Sequence, residues 1–205
     1  MNDKHIANNI DSSADEQLML LFANNEKDIG MDKAQRAFDR LYQRHKGPLY
    51  RFVKKTCNNE QDANEVFQEL WLRIINNKSQ FNPEYKFTTW AYTIANRLLI
   101  DWLRKNGKLK NSVSPDETID ELAVALGENQ LELPENELER KRMAKQLTEA
   151  ITTLPDQQRM TFVMKHESGL SLSEVANATD QPLERIKSQY RYAIKKLKHT
   201  LEHWR

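Results

Sequence analysis

Apolar positions in this chain recur at helical spacing. Between Asn58 and Asn77, the residues Ala63, Val66, Phe67, Leu70, Trp71, Ile74 and Ile75 fall at offsets 0, 3, 4, 7, 8, 11 and 12. From Thr88 to Lys105 the same offsets return, carried by Ala91, Ile94, Ala95, Leu98, Leu99, Trp102 and Leu103. Stripes this wide predict two long helices packed on each other and on the helix before them. That preceding helix reads from Gln35 to about Lys55, with Phe38, Leu41, Tyr42, Leu49 and Phe52 inward. Gly47-Pro48 is expected to bend or interrupt it, because proline lacks an N–H and its ring crowds the preceding turn. A short helix starts at Asp15–Phe22, and the polar residues 1–14 read as a disordered tail.

The second half repeats the logic on a smaller scale. Leu138 to Thr153 is a predicted helix with Met143, Leu147 and Ile151 on one face. Pro155 opens another, to about His166, carrying Met160, Val163 and Met164, and Gly169 stops it. Ser171 and Glu174 then stand at capping-box spacing, where hydroxyl and carboxylate each satisfy a free backbone N–H. Asp180-Gln181-Pro182 resets the chain, with Pro182 suited to a first helical turn. In the last helix Ile186, Tyr190, Ala193, Ile194, Leu197 and Leu201 form one apolar stripe, and Lys187, Arg191, Lys195 and Lys198 form a basic stripe beside it. A helix held down on one edge and cationic on the next is what docking in a DNA major groove requires. The short capped helix, turn and basic helix therefore predict a helix-turn-helix.

Composition narrows the class. With 205 residues, 5 Gly and 6 Pro, and no alternating Val/Ile/Thr runs, the chain reads as all-α. Cys57 is the single cysteine, so neither an internal disulfide nor a cysteine-based zinc site is possible. No signal peptide or membrane-spanning run is evident, which makes the cytoplasm the default location. The net charge of +1 hides a segregation. Residues 111–139 carry nine acidic side chains and no Lys or Arg, whereas residues 1–110 and 140–205 are net basic. Two basic blocks flank an acidic connector, a pattern that admits a nucleic-acid partner despite the near-neutral total. The expected organisation is a tail (1–14), a three- to four-helix domain (15–110), an acidic linker (111–137) and a helix-turn-helix domain (138–205).

Three tracts carry candidate chemistry. Asp62-Ala-Asn-Glu-Val-Phe-Gln-Glu-Leu-Trp71 places Glu65, Gln68, Glu69 and Leu72 on the polar edge of its helix, a surface for a protein partner. Phe81-Asn-Pro-Glu-Tyr-Lys-Phe-Thr-Thr-Trp90 interleaves four aromatics with Lys86, a composition suited to unstacked single-stranded bases at about 1–3 kcal/mol per stacked base. Trp90 and Phe87 also fit as caps on the core. Asn96, Arg97, Asp101, Arg104, Lys105, Lys108 and Lys110 load the end of the second strong helix with polar and cationic groups.

These tracts, with Leu154-Pro-Asp-Gln-Gln-Arg159, Glu167–Ala176 and Ile186-Lys-Ser188, resemble bacterial sigma-70-type RNA polymerase sigma factors, most nearly the compact extracytoplasmic-function group. The resemblance covers roughly residues 15–110 and 138–200. It implies two small helical domains, no catalytic residues, no cofactor and no metal. It implies that Asp62, Glu65, Gln68, Glu69 and Leu72 dock on the clamp helices of the polymerase largest subunit. Tyr85, Lys86, Phe87 and Thr88 would capture a flipped base of the −10 element, while Asn96, Arg97, Asp101, Arg104 and Lys105 read or grip its upstream part. Ser173, Arg185, Lys187, Ser188, Arg191 and Lys195 would read the −35 element as duplex. Core polymerase, including its beta-flap, promoter DNA and an anti-sigma factor are the implied partners; no small-molecule substrate is.

The chain also departs from the family pattern. Asn96-Arg97 stands where the family usually has Arg-Asn, and Gln189, Tyr192 and Ile194 replace family arginines, which points to a −35 preference of its own. Asn24–Lys33 looks like an insertion. Promoter elements lie roughly 70 Å apart at ~35 Å per turn. A flexible connector the length of 111–139 averages about 30 Å and reaches about 100 Å stretched, so it spans only if held extended. Two other readings compete. A stand-alone helix-turn-helix regulator predicts stable duplex binding by the protein alone and leaves the first two tracts without a role. An enzyme would need paired catalytic carboxylates, a phosphate-binding Gly loop or metal-ligand spacing, and none is found; His5, His45, His166, His199 and His203 are scattered.

Overall fold

The computed structural model describes residues 13–24, 31–57, 59–107 and 136–202. The tail through residue 12, part of the Asn24–Lys33 segment and nearly all of the acidic linker lie outside the described residues. Eight α-helices are described: α1 (Asp15–Ala23), α2 (Met31–Thr56), α3 (Glu60–Asn76), α4 (Phe87–Lys105), α5 (Glu137–Thr152), α6 (Asp156–Glu167), α7 (Leu172–Thr179) and α8 (Leu183–Glu202). A 3-10 turn, Lys78–Gln80, leads from α3 towards α4. None of the described helices is long and apolar enough to cross a membrane.

Helices α1–α4 form the N-terminal unit. The predicted stripes of α3 and α4 are its core: Ala63, Val66, Leu70, Trp71, Ile74, Ala91, Ala95, Leu98, Leu99 and Leu103 are all buried. Asn59 caps α3 by accepting a hydrogen bond from the Asp62 backbone N–H at 2.8 Å. Aromatic rings join the helices: Phe22 to Phe38 at 4.8 Å, Tyr42 to Trp71 at 4.9 Å and Phe52 to Tyr92 at 5.3 Å between centroids. The start of α1 is tied down by Asp15, which receives Arg44 Nη1 at 2.7 Å and His45 Nε2 at 2.6 Å. The bond from His45 holds the Asp15 carboxyl below its usual range, against a smaller opposing effect of burial.

The expected break at Gly47-Pro48 does not occur. Helix α2 runs unbroken from Met31 to Thr56 with Pro48 inside it. The missing proline N–H costs one backbone bond, but Leu41, Leu49, Phe52 and Val53 on either side are at most 1% exposed, and their burial outweighs it.

Helices α5–α8 form the C-terminal unit, with α6 at its centre against α8, α7 and the α2 helix of the N-terminal unit. That position explains why α6 is buried on every side, from Asp156 and Gln158 to Met164, rather than on the one stripe read from its sequence. Its buried Arg159 pairs with Asp156 and donates to the Thr152 carbonyl at 3.1 Å. In α5 the burial falls on Ala150 and Ile151, while Leu147, expected inward, is 37% exposed. Gly169, at φ +68°, takes a left-handed turn that a side chain would strain. The capping box at the start of α7 is complete: Glu174 N donates to Ser171 Oγ at 3.2 Å, and Ser171 N to Glu174 Oε2 at 2.8 Å. Asp180, at φ 54°, ends the helix.

The two units touch. Besides α2 on α6, helix α4 packs on α7.

Candidate nucleic-acid interface

Helix α8 is presented as its pattern predicts. Ile186, Ala193 and Leu197 are buried, and Tyr190, Ile194 and Leu201 pack partly against the same core. The neighbouring edge carries Arg185, Lys187 and Lys195, all exposed, with Ser188 and Arg191 half-buried beside them. Lys187 Nζ donates to Glu184 at 2.7 Å and Arg191 Nη2 to Ser188 Oγ at 3.2 Å, so these groups are solvent-facing yet locally ordered. Lys187 holds the Glu184 carboxyl below its usual range. Ser173 is exposed in the first turn of α7.

Gln189 is turned elsewhere. Its Nε2 donates to Gln157 Oε1 and to Gln181 Oε1, both at 3.0 Å, and its Oε1 accepts from Thr161 Oγ1 at 2.8 Å. It joins α6, the inter-helix turn and α8. The substitution that sequence comparison read as a change in base preference is an internal strut at this position. Ile194 likewise packs on the core.

In the N-terminal unit the candidate residues separate into three groups. Gln68, Glu65, Glu69 and Leu72 are exposed along α3, with Asp62 half-buried at its start; Leu72 is 53% exposed, a large apolar side chain standing among carboxylates. Arg97, Asp101, Arg104 and Lys105 are exposed along α4, which places four of the upstream −10 candidates on one accessible surface. Tyr85 is 61% exposed and Lys86 is exposed beside it, with Thr88 half-buried at the start of α4.

Two candidates present no such surface. Phe87 is fully buried, its ring 4.9 Å from His45 and 6.4 Å from Phe81, and its backbone N–H donates to Glu16 at 2.9 Å. It is the residue that seats the loop on the core. Asn96 is 4% exposed, inside the α4 stripe rather than beside it. The α4 sequence places Asn96 one residue from both Ala95 and Arg97, and only packing decides to which face it turns.

Sequence reading missed the partner of Lys86. Its Nζ lies 2.7 Å from Glu174 Oε1, on the carboxylate that closes the capping box of α7. Lys86 and the two Ser171 donors together hold the Glu174 carboxyl down to about 2. No local pattern in either segment signals this pairing.

Comparison with known proteins identifies the class. Residues 41–109 match the sigma-70 region 2 family model and residues 150–199 match sigma-70 region 4, together more than half of the chain. The chain belongs to the sigma-70 family. Within it the chain is of the extracytoplasmic-function type, a promoter-recognising transcription initiation factor that works with core RNA polymerase. The ECF RNA polymerase sigma factor SigW of Bacillus subtilis is 28% identical over 163 residues, covering 76% of this chain and 83% of SigW. In fold, the chain is similar to CnrH, solved in complex with the cytosolic domain of CnrY, at 19% identity and TM-score 0.63, over 93% of this chain and 99% of that one. It is also similar to RpoE of Bartonella quintana, solved with the anti-sigma factor NepR, at 18% identity and TM-score 0.60, over 80% of this chain and 96% of that one.

Proposed function

We propose that this sigma factor divides its work among the faces described above. The α3 edge of Asp62, Glu65, Gln68, Glu69 and Leu72 docks on the polymerase clamp helices, with Leu72 as the apolar anchor among polar contacts. Tyr85, Lys86 and Thr88 take an unstacked −10 base on a loop that Phe87 holds in place, and Arg97, Arg104 and Lys105 grip the adjoining strand with Asp101 among them. The α8 edge of Arg185, Lys187, Ser188, Arg191 and Lys195, with Ser173, enters the major groove at the −35 element. Residues 15–110 and 138–205 serve as the two domains, the latter also meeting the beta-flap, and the acidic 111–137 linker threads a basic polymerase channel. The factor acts in the cytoplasm and is not itself an enzyme. By likeness to the NepR-bound relative, an anti-sigma protein holds it inactive.

The observation that supports this reading most is the split of each long helix. Helices α3, α4 and α8 bury one apolar stripe and leave a neighbouring stripe of fixed character exposed, acidic and polar on α3 and cationic on α4 and α8. The test is core binding by Gln68→Ala and Leu72→Ala variants. Both should lose affinity for core polymerase while keeping the wild-type circular dichroism and melting temperature. Unchanged affinity in both would overturn the assignment of this face.

A further inference from the structure

We propose that the chain, without any partner, is held closed by a two-point ionic clasp that masks the cation of its own −10 loop. This rests on the reading of residues 81–90 as the strand-capturing loop. Both points are carboxylates of the C-terminal unit, on either side of the turn at Gly169. Glu167, at the end of α6, accepts Arg51 Nε at 2.6 Å and the Lys55 ammonium, both from α2. Glu174, in the first turn of α7, accepts Lys86 Nζ at 2.7 Å.

The groups are positioned to act together. Glu167 and Lys55 keep only 22% and 21% of their side-chain surface, so their attraction is less screened than that of an open surface pair. Arg51 and Lys86 are more exposed, at 51% and 70%, and contribute less each. Helix α6, buried on every side, loses cover on one of them if α2 moves away, which adds an apolar cost to opening. Closure engages the one cation of the 81–90 loop, Lys86. A single-stranded phosphate and Glu174 compete for the same ammonium. DNA capture and closure therefore oppose each other, and whatever separates the units, such as seating on polymerase, releases the Lys86 ammonium. Glu174 is well chosen for this, since it stays ionised and fixed by Ser171 in either state.

The test uses the full chain and a Glu167→Lys/Glu174→Gln variant, in which glutamine keeps the capping-box geometry. Small-angle X-ray scattering should show a compact wild type whose radius of gyration grows as salt is raised, and an expanded variant at all salt concentrations. Fluorescence anisotropy with a short random-sequence single-stranded DNA should show about fivefold tighter binding by the variant at low salt. Adding Arg51→Glu and Lys55→Glu to Glu167→Lys alone should restore compaction by reversing the pair. The same radius for wild type and variant, or a wild type expanded at low salt, would overturn the clasp. Expansion without tighter DNA binding would overturn the masking. Scattering needs no DNA or polymerase, so a failure of the clasp is told apart from a failure of the loop's assigned role.

Discussion

The N-terminal and C-terminal units reach comparable burial by different chemistry. The first is joined by rings, with Phe22, Phe38, Tyr42, Phe67 and Trp71 in one chain of contacts and Phe81, Phe87 and Trp90 in another. The second has one small ring cluster, Phe162, His166 and Tyr190, and is joined for the rest by polar ties. Asp156 pairs with Arg159, Gln189 reaches Gln157, Gln181 and Thr161, and Lys196 Nζ donates to the Thr153 carbonyl at 2.8 Å. Aromatic burial is strong and tolerant of angle, which suits a platform that docks on a large partner. Hydrogen-bonded struts fix angles, which suits a helix that must enter a groove in one orientation.

That contrast can be broken in order of effect. Phe52→Ala removes a fully buried ring from the platform and should cost about 3–5 kcal/mol in a denaturant titration followed by circular dichroism. Asp156→Ala leaves the Arg159 guanidinium buried and unpaired, and should cost about 3 kcal/mol, whereas Asp156→Leu with Arg159→Met should recover most of it. If the double variant is no better than the single, the polar tie is not what the C-terminal unit depends on. Ser171→Ala opens the capping box and should cost about 1 kcal/mol in the same titration. Gln189→Ala should cost about 1 kcal/mol. Its sharper signature is a loss of discrimination among −35 sequences in a binding-site selection with the holoenzyme, because the helix is no longer held at one angle; retained discrimination would mean the strut sets stability alone.

The smallest effect is in pH. Lys86 and Ser171 bond the ionised form of Glu174 and hold its carboxyl down to about 2 in the folded chain, below the ordinary 4.5 of a glutamate. A depressed carboxylate contributes stability that is present above about 4.5 and lost as pH falls from there through about 2. Wild type should therefore lose more stability than Glu174→Gln across that window, with the two converging at its lower end. Parallel curves would mean that the Glu174 carboxylate is not tied as described.

The same contrast explains what could be read from sequence. The α3 and α4 stripes, the capping box and the two faces of α8 are local: each needs only residues a few positions apart, and all are present as patterned. What was missed is tertiary. Continuity of α2 through Pro48 depends on Leu49, Phe52 and Val53 meeting other helices. The all-round burial of α6 comes from its place between the units, so no single stripe marks it. Asn96 and Gln189 turn inward at positions where local spacing does not decide the face, and the Lys86–Glu174 pair joins segments 88 positions apart. Of the candidate surfaces, the exposed edges of α3, α4 and α8 were legible because amphipathic spacing leaves one side free; the loop's electrostatic partner was not.

Run-off transcription is the most direct test of the central claim, that one chain reads two promoter elements with two different units. Core polymerase would be combined with wild type, with Lys187→Ala/Arg191→Ala or with Arg97→Ala/Lys105→Ala, on fragmented genomic DNA. The account predicts specific starts that require the added chain. The α8 variant should lose those that depend on the upstream duplex element, and the α4 variant should bind promoters yet fail to open them. No specific start with wild type, or stable sequence-specific duplex binding by the chain without polymerase, would contradict it.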